Sequence, residues 1–158
     1  MPTIEVDYED FQKLLGIKLP KNPEELDETL SYAKGELKLL DDQKIHIEIG
    51  DSNRPDLWSV EGLARALRGY LGIETGLKEY AVIAESGVEI QVDPRLEKIR
   101  PYIACAVMKN VHLSDVAIRA VMHLQDKLDQ TYGRNRKRTS IGLYNFNLIT
   151  PPLRYGVA

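Results

Sequence analysis

Lys44-Ile45-His46-Ile47-Glu48-Ile49 carries the clearest strand pattern in the first part of the sequence. Three isoleucines alternate with three polar residues, and successive side chains of a strand point to opposite faces, so the pattern predicts a strand with one buried face. Residues 36–40 form a second strand-like stretch, and the polar turn Asp41-Asp42-Gln43 separates the two. The sequence therefore predicts a β-hairpin whose isoleucine face contacts a core.

The segments on either side of this hairpin complete a small module. Residues 3–6 alternate and predict another strand, and apolar residues at helical spacing predict helices over 8–15 and 57–71. A further helix is predicted to start at Asn22-Pro23-Glu24-Glu25, because proline suits the first helical position and acids favour the positive end of the helix dipole. The first part of the chain is therefore predicted to be α+β.

The second half predicts more strands and one long helix. Strands are expected at 80–84, 88–92, 103–111, 140–146 and 153–157. The 103–111 stretch is nearly all apolar, which is typical of a central strand covered on both faces. Ser114 is expected to cap a helix over 115–131, with Leu124 and Leu128 on its inner face and Asp129 on its outer face.

Composition excludes several classes of protein. Of 158 residues, 43% are hydrophobic and 28% are charged, which is typical of a globular chain and excludes a disordered or collagen-like one. The longest apolar run, residues 102–108, is far shorter than the roughly 20 residues that cross a bilayer. The acidic N-terminus lacks the features of a secretory signal, and we expect a cytoplasmic location with no membrane partner.

Charge and chain ending add two expectations. Residues 1–56 carry 7 basic and 14 acidic side chains, whereas residues 57–158 carry 14 basic and 10 acidic ones, so the two parts are expected to face different partners. Residues 153–158 stop inside an apolar strand pattern, from which we expect the sequence to be a piece of a longer one.

Motifs that carry chemistry are missing from the sequence. No two histidines fall at the spacing that places metal ligands on one helix face, and there is no CxxC or HExxH motif. A GxSxG elbow and a glycine-rich phosphate loop are also lacking. We therefore name no catalytic residue and no metal ligand.

Gly133-Arg134-Asn135-Arg136-Lys137-Arg138-Thr139 holds four positive charges within five residues. Two interpretations remain open. The four cations, Arg134, Arg136, Lys137 and Arg138, contact the phosphates of a nucleic acid, each contact releasing a counterion. Alternatively, the segment is a solvated loop that neutralises Asp126 and Asp129 and favours the negative end of the preceding helix.

Asp51-Ser52-Asn53-Arg54-Pro55-Asp56 is a run of turn formers with a structural interpretation. Pro55 fixes the approach to the next helix, and Asp56 or Ser59 is expected to cap that helix. The Arg54 guanidinium is expected to form a bidentate ion pair with a carboxylate, either Asp51 or Asp56. The neighbouring Trp58 is interpreted as a residue of the core.

The stretch from Asn53 to Arg65, NRPDLWSVEGLAR, resembles the N-R-x-D-L-x-S-x-x-G-x-A-R signature of the phenylalanyl-tRNA synthetase β subunit, especially its archaeal and eukaryotic branch. Further matches follow in the family's order at 32–37, 99–102, 124–128, 133–136 and 141–144. The resemblance covers essentially the whole chain, and we single out as its structural signature Asn53, Arg54, Pro55, Asp56 and Arg65.

The resemblance implies one part of an aminoacyl-tRNA synthetase. That enzyme joins phenylalanine to its tRNA with ATP and Mg²⁺ as an α₂β₂ heterotetramer, in which the α subunit carries the aminoacylation site. The β subunit hydrolyses tRNA wrongly charged with tyrosine, because an apolar pocket rejects an added hydroxyl poorly. Partners implied are the α subunit and tRNA.

Residues 1–78 would form the N-terminal α+β module of that subunit. Residues 79–158 would supply the opening strands and long helix of its mixed α/β editing domain. No catalytic residue and no cofactor site transfers to this segment, which is expected to be inactive alone. The alternative is a stand-alone RNA- or protein-binding module of the same ancestry, and an independent hydrolase is the weakest reading.

Overall fold

The computed structural model describes residues 2–51, 53–82 and 84–157. Their packing divides the chain into two compact units, one of Met1–Leu77 with Leu113–Gly142 and one of Lys78–His112 with Leu143–Ala158. No helix among these described residues has the length and apolar character needed to cross a bilayer.

Among its described residues, the first unit contains three strands and four α-helices. They are β1 (Thr3–Asp7), α1 (Tyr8–Leu15), α2 (Pro23–Ser31), β2 (Gly35–Leu40), β3 (Lys44–Ile49), α3 (Val60–Tyr70) and α4 (Asp115–Gln130).

A three-stranded antiparallel sheet with β3 in the centre forms the base of this unit. The predicted hairpin is confirmed, and Ile45, Ile47 and Ile49 on the central strand are completely buried. Helices cover that face of the sheet, and their fully buried side chains include Phe11, Leu15, Leu26, Leu30, Leu63 and Leu67. The alternation seen in the sequence thus marks the face on which the core is built.

Side-chain caps fix where the first three helices begin. The Asp7 carboxylate accepts a hydrogen bond from the Asp10 N–H (2.8 Å), and Asn22 caps α2 in the same way. Helix α3 begins at Val60, not at Leu57 as predicted, because residues 55–57 form a tighter 3₁₀ turn. Ser59 caps α3, which decides between the two caps that the sequence left open.

Helix α4 packs on the core of the first unit. Ser114 caps it as predicted, and Leu124 and Leu128 contact the core. The Lys127 ammonium donates a hydrogen bond to the Thr3 carbonyl on β1 (2.5 Å), and burial lowers the pKa of Lys127. The sequence assigned this helix to the same domain as the strands of residues 79–158. In the structure its apolar face packs with the N-terminal elements. The family division at residue 78 stays a prediction.

The second unit has little regular structure. The two strands among its described residues, β4 (Ile90–Val92) and β5 (Leu153–Tyr155), pair in parallel. The predicted strands at 103–111 and 140–146 are wrong, since those residues have no strand partner. Residues 80–82 and Ala84 are also irregular, and Ile83 lies outside the described residues. An apolar run indicates a tendency to be buried, but a strand forms only where a second strand satisfies its backbone groups.

Candidate nucleic-acid interface

The basic loop, Gly133–Thr139, follows the end of α4 and folds into a tight left-handed turn. Arg134, Asn135 and Arg136 have φ angles of 48°, 55° and 65°. This region costs an L-residue about 1–2 kcal/mol, so the surrounding structure must hold the turn in place.

Backbone hydrogen bonds hold the loop against the helix end. The Asn135 and Arg136 N–H groups donate to the Gln130 and Asp129 carbonyls (3.3 and 3.1 Å). The Arg138 N–H donates to the Gly133 carbonyl (2.9 Å), which returns the loop to its own start. The loop is therefore preformed.

Gly133 makes this packing possible. A Cβ at this position would lie 2.5 Å from both the Asp129 and the Thr139 carbonyl oxygens. Both are backbone atoms that cannot move without opening the turn, so a side chain is excluded here.

Asp129 joins the loop to the helix through its side chain. The carboxylate is 3% exposed, and it accepts hydrogen bonds from Arg136 Nε (2.9 Å) and from the Ile141 N–H (3.0 Å). The expectation that Asp129 lies on the outer face of α4 is wrong, because the loop and residue 141 fold over that face. Arg136 also lies near the exposed Asp126, at 3.8 Å.

The four predicted phosphate-binding cations therefore divide into two groups. Arg136 neutralises Asp129, as the second interpretation of the loop required. Arg134, Lys137 and Arg138 are exposed, and the structure of residues 2–51, 53–82 and 84–157 shows no side-chain partner for them. These three cations are available to a ligand, whereas RNA binding itself stays a prediction.

The signature turn, residues 53–57, is stabilised by an ion pair, and of the two carboxylates that the sequence left open for Arg54 the structure selects Asp56. Arg54 donates two parallel hydrogen bonds to Asp56, from Nε to Oδ1 (2.9 Å) and from Nη2 to Oδ2 (2.8 Å). These bonds hold the pKa of Asp56 below its ordinary value, and the charge of Arg65 acts in the same direction. Pro55 opens the 3₁₀ turn between the paired residues, and Asn53 lies exposed before it.

The structure also explains two further positions of the signature, Gly62 and Ser59. A Cβ on Gly62 would lie 1.6 Å from the Asp56 carbonyl oxygen, so the turn approaches α3 more closely than any side chain allows. The Ser59 hydroxyl accepts a hydrogen bond from the Gly62 N–H (3.1 Å). The signature therefore fixes the join between the turn and α3.

An aromatic contact joins Trp58, directly after the signature turn, to Tyr132, directly before the basic loop. Trp58 is 3% exposed, and its ring centroid lies 5.9 Å from that of Tyr132, with the planes tilted by 47°. The Trp58 Nε1 has no hydrogen-bond partner in the described structure. Sequence reasoning placed Trp58 in the core correctly but missed Tyr132, for which no periodic pattern gave a signal.

Beside the loop lies a shallow concavity of about 200 Å³, lined by Asp126, Asp129, Gln130, Asn135 and Arg136. Both of its carboxylates, Asp126 and Asp129, face Arg136, and Asp129 is hydrogen-bonded to it. Among the described residues, no group of three histidine, cysteine or acidic side chains is arranged to hold a metal ion.

Comparison with known proteins supports the resemblance noted in the sequence. No protein-family model matches the chain. It is 41% identical over 155 residues to the phenylalanine–tRNA ligase β subunit of Methanosarcina acetivorans, and 40% identical over 162 residues to that of Pyrococcus furiosus. These matches cover 98% and 100% of this chain but 27% and 29% of the relatives, so the chain spans less than a third of their length.

A solved structure shows the same fold. The crystal structure of an N-terminal fragment of the phenylalanyl-tRNA synthetase β subunit from Pyrococcus horikoshii superposes with a TM-score of 0.89 and 35% identity, over 99% of this chain and 46% of that one. Sequence and fold thus agree along the whole chain. This chain belongs to the family of archaeal-type phenylalanine–tRNA ligase β subunits, to whose N-terminal part it corresponds.

Proposed function

We propose that this chain works as the non-catalytic N-terminal part of a phenylalanine–tRNA ligase β subunit, where it supports the proofreading of tyrosine-charged tRNA. The proposal rests on the sequence match to phenylalanine–tRNA ligase β subunits along 98–100% of the chain, together with the TM-score of 0.89 to the solved N-terminal fragment. The whole enzyme would use ATP and Mg²⁺ and act in the cytoplasm as an α₂β₂ heterotetramer, with no cofactor held by this segment.

The α subunit is the first partner to test. An affinity tag on the N-terminus of the chain in its own cells should co-purify a phenylalanine–tRNA ligase α subunit through native size-exclusion chromatography. Recovery of the chain free of an α subunit would contradict the proposal and favour the stand-alone RNA- or protein-binding module.

The basic loop is our proposed contact to tRNA. Three exposed cations on a preformed turn suit phosphates, and each phosphate contact contributes about 0.7–0.9 to the slope of log affinity against log salt. Changing Arg134, Lys137 and Arg138 to Ser while keeping Arg136 should lower both tRNA affinity and that slope, measured by filter binding at several salt concentrations.

A matched control removes three exposed lysines elsewhere in the first unit, Lys13, Lys18 and Lys21. This variant changes the net charge by the same amount, so it should leave the salt slope near that of the unaltered chain. An unchanged slope in the loop variant, or an equal fall in the control, would show that the loop is not the contact.

The chain alone is proposed to be inactive. Incubation with tyrosine-charged tRNA should release tyrosine at the uncatalysed rate. Faster release would favour an independent hydrolase and would contradict the non-catalytic role.

A further inference from the structure

We infer that Tyr132 and the basic loop together bind a single-stranded segment of RNA, with one base stacked on the Tyr132 ring and the neighbouring phosphates on the loop cations. The inference rests on the proposed function, because it specifies which part of a tRNA the loop contacts. A duplex would not use Tyr132, since its bases are already stacked within the helix.

Tyr132 is half exposed at the entrance of the loop. It lies between the last residues of α4 and Gly133, and 54% of its surface is accessible. Its ring contacts the buried Trp58, which restrains it, while about half of the residue stays accessible to solvent. A restrained aromatic ring loses little conformational freedom when a base stacks on it.

The backbone of the loop stays close to Tyr132 because the loop returns to its own start. The Arg138 N–H bonds to the Gly133 carbonyl (2.9 Å), and the Lys137 N–H bonds to the Arg134 carbonyl (3.3 Å). The first bond returns the backbone of Arg138 to the residue next to Tyr132, and the second closes the turn in between. An aromatic ring beside a cluster of free cations is the combination that binds single strands, with the base on the ring and the phosphates on the charges.

Asp129 keeps this arrangement in place. Its carboxylate accepts hydrogen bonds from Arg136 and from the Ile141 N–H. One loop cation therefore has a structural role, while Arg134, Lys137 and Arg138 remain exposed to solvent. Without that clamp, three successive residues would have to keep left-handed φ angles on backbone bonds alone. Asp129 is thus a positioning residue for the RNA site.

The first experiment compares RNA probes on the unaltered chain. Fluorescence anisotropy would measure binding of a labelled strand of about ten adenylates, of the same strand in a duplex, and of a strand of equal length that lacks the bases. We expect the intact single strand to bind more tightly than the other two. Equal affinity for the intact and the base-free strand would overturn the inference.

The second experiment changes the ring. Tyr132→Leu should weaken single-strand binding by about 5-fold or more, which is the lower limit for losing one stacked base, and should leave duplex binding unchanged. Tyr132→Phe should retain the affinity. Tyr32, which directly follows α2 as its C-cap and is 51% exposed, provides the matched control, and Tyr32→Leu should have no effect. A similar loss in Tyr32→Leu, or none in Tyr132→Leu, would overturn the inference.

The two proposals fail in different ways. If the change of Arg134, Lys137 and Arg138 to Ser abolishes binding while Tyr132→Leu does not affect it, the loop contacts phosphates only and the stacked base is wrong. If the loop variant binds every RNA as tightly as the unaltered chain, the proposed tRNA contact itself is wrong. Circular dichroism of Tyr132→Leu checks the fold, and the probe comparison on the unaltered chain does not depend on that variant.

Discussion

Gly62 permits a backbone approach that no side chain would allow. Because a Cβ here would overlap the Asp56 carbonyl oxygen at 1.6 Å, Gly62→Ala must push the signature turn away from α3. We expect a loss of roughly 1–3 kcal/mol or more in the free energy of unfolding, the usual cost of forcing extra atoms into a packed site. Urea denaturation followed by circular dichroism measures it.

Gly69 supplies the control within the same helix. A Cβ on Gly69 would lie 3.8 Å from its nearest neighbour, which is ordinary contact. Gly69→Ala should therefore gain roughly 0.5–1 kcal/mol from the better helix propensity of alanine. If both variants shift the urea midpoint alike, the close approach at Gly62 is not the reason for the glycine.

The buried carboxylate of Asp129 gives a second prediction. Asp129→Ala removes the acceptor for Arg136 and for the Ile141 N–H, and should cost about 2–3 kcal/mol of unfolding free energy, as expected when buried hydrogen bonds to a charged group are lost. Asp126→Ala removes only an exposed carboxylate 3.8 Å from the same arginine and should cost less than about 1 kcal/mol. Equal losses would contradict the clamp.

Sequence reasoning narrowed the partner of Arg54 to Asp51 or Asp56 and offered Asp129 as a partner of the basic loop, but it missed the burial of Asp129, and the difference is one of distance along the chain. Arg54 and Asp56 are two residues apart, so local chemistry suffices to pair them. The burial of Asp129 depends on a loop that returns over the helix, and helical periodicity alone assigned that position to solvent.

Among the elements, α4 is the one that carries the basic loop, and its N-terminus is open to test. The Ser114 hydroxyl accepts a hydrogen bond from the Ala117 N–H (3.2 Å). Ser114→Ala should cost about 1 kcal/mol of unfolding free energy, whereas Ser114→Asp, which keeps an acceptor and adds a favourable charge at the helix start, should not destabilise the chain. Thermal denaturation compares them, and an unaffected Ser114→Ala would show that the cap contributes nothing.

Helices were predictable and strands only in part, for a physical reason. Each helix satisfies its backbone within one segment, so capping residues such as Asn22 and Ser114 and the apolar period carry enough information. A strand depends on a partner elsewhere in the chain. The hairpin of β2 and β3 has its partner four residues away and was predicted, whereas residues 103–111 have none in the described structure and are irregular.

For the whole molecule, the two units should differ in stability. Backbone amides of β3 lie between two neighbouring strands above a fully buried core, whereas residues 101–112 have no regular hydrogen bonding and expose Tyr102 and Met108. Hydrogen–deuterium exchange read by mass spectrometry should show β3 exchanging slowest and residues 101–112 among the fastest. Protection of residues 101–112 equal to that of β3 would contradict this structure.

The first unit is assembled from two stretches that are separated along the chain, and this has a consequence for its synthesis. Leu124 and Leu128 reach their place only after residues 78–112 have been made. At about 5–20 residues per second, a ribosome needs several seconds to pass from residue 77 to residue 142. During that interval the part of the core that α4 later covers is exposed to solvent. Exposed apolar surface of this kind makes a nascent chain prone to aggregation and is the reason that chaperones are needed.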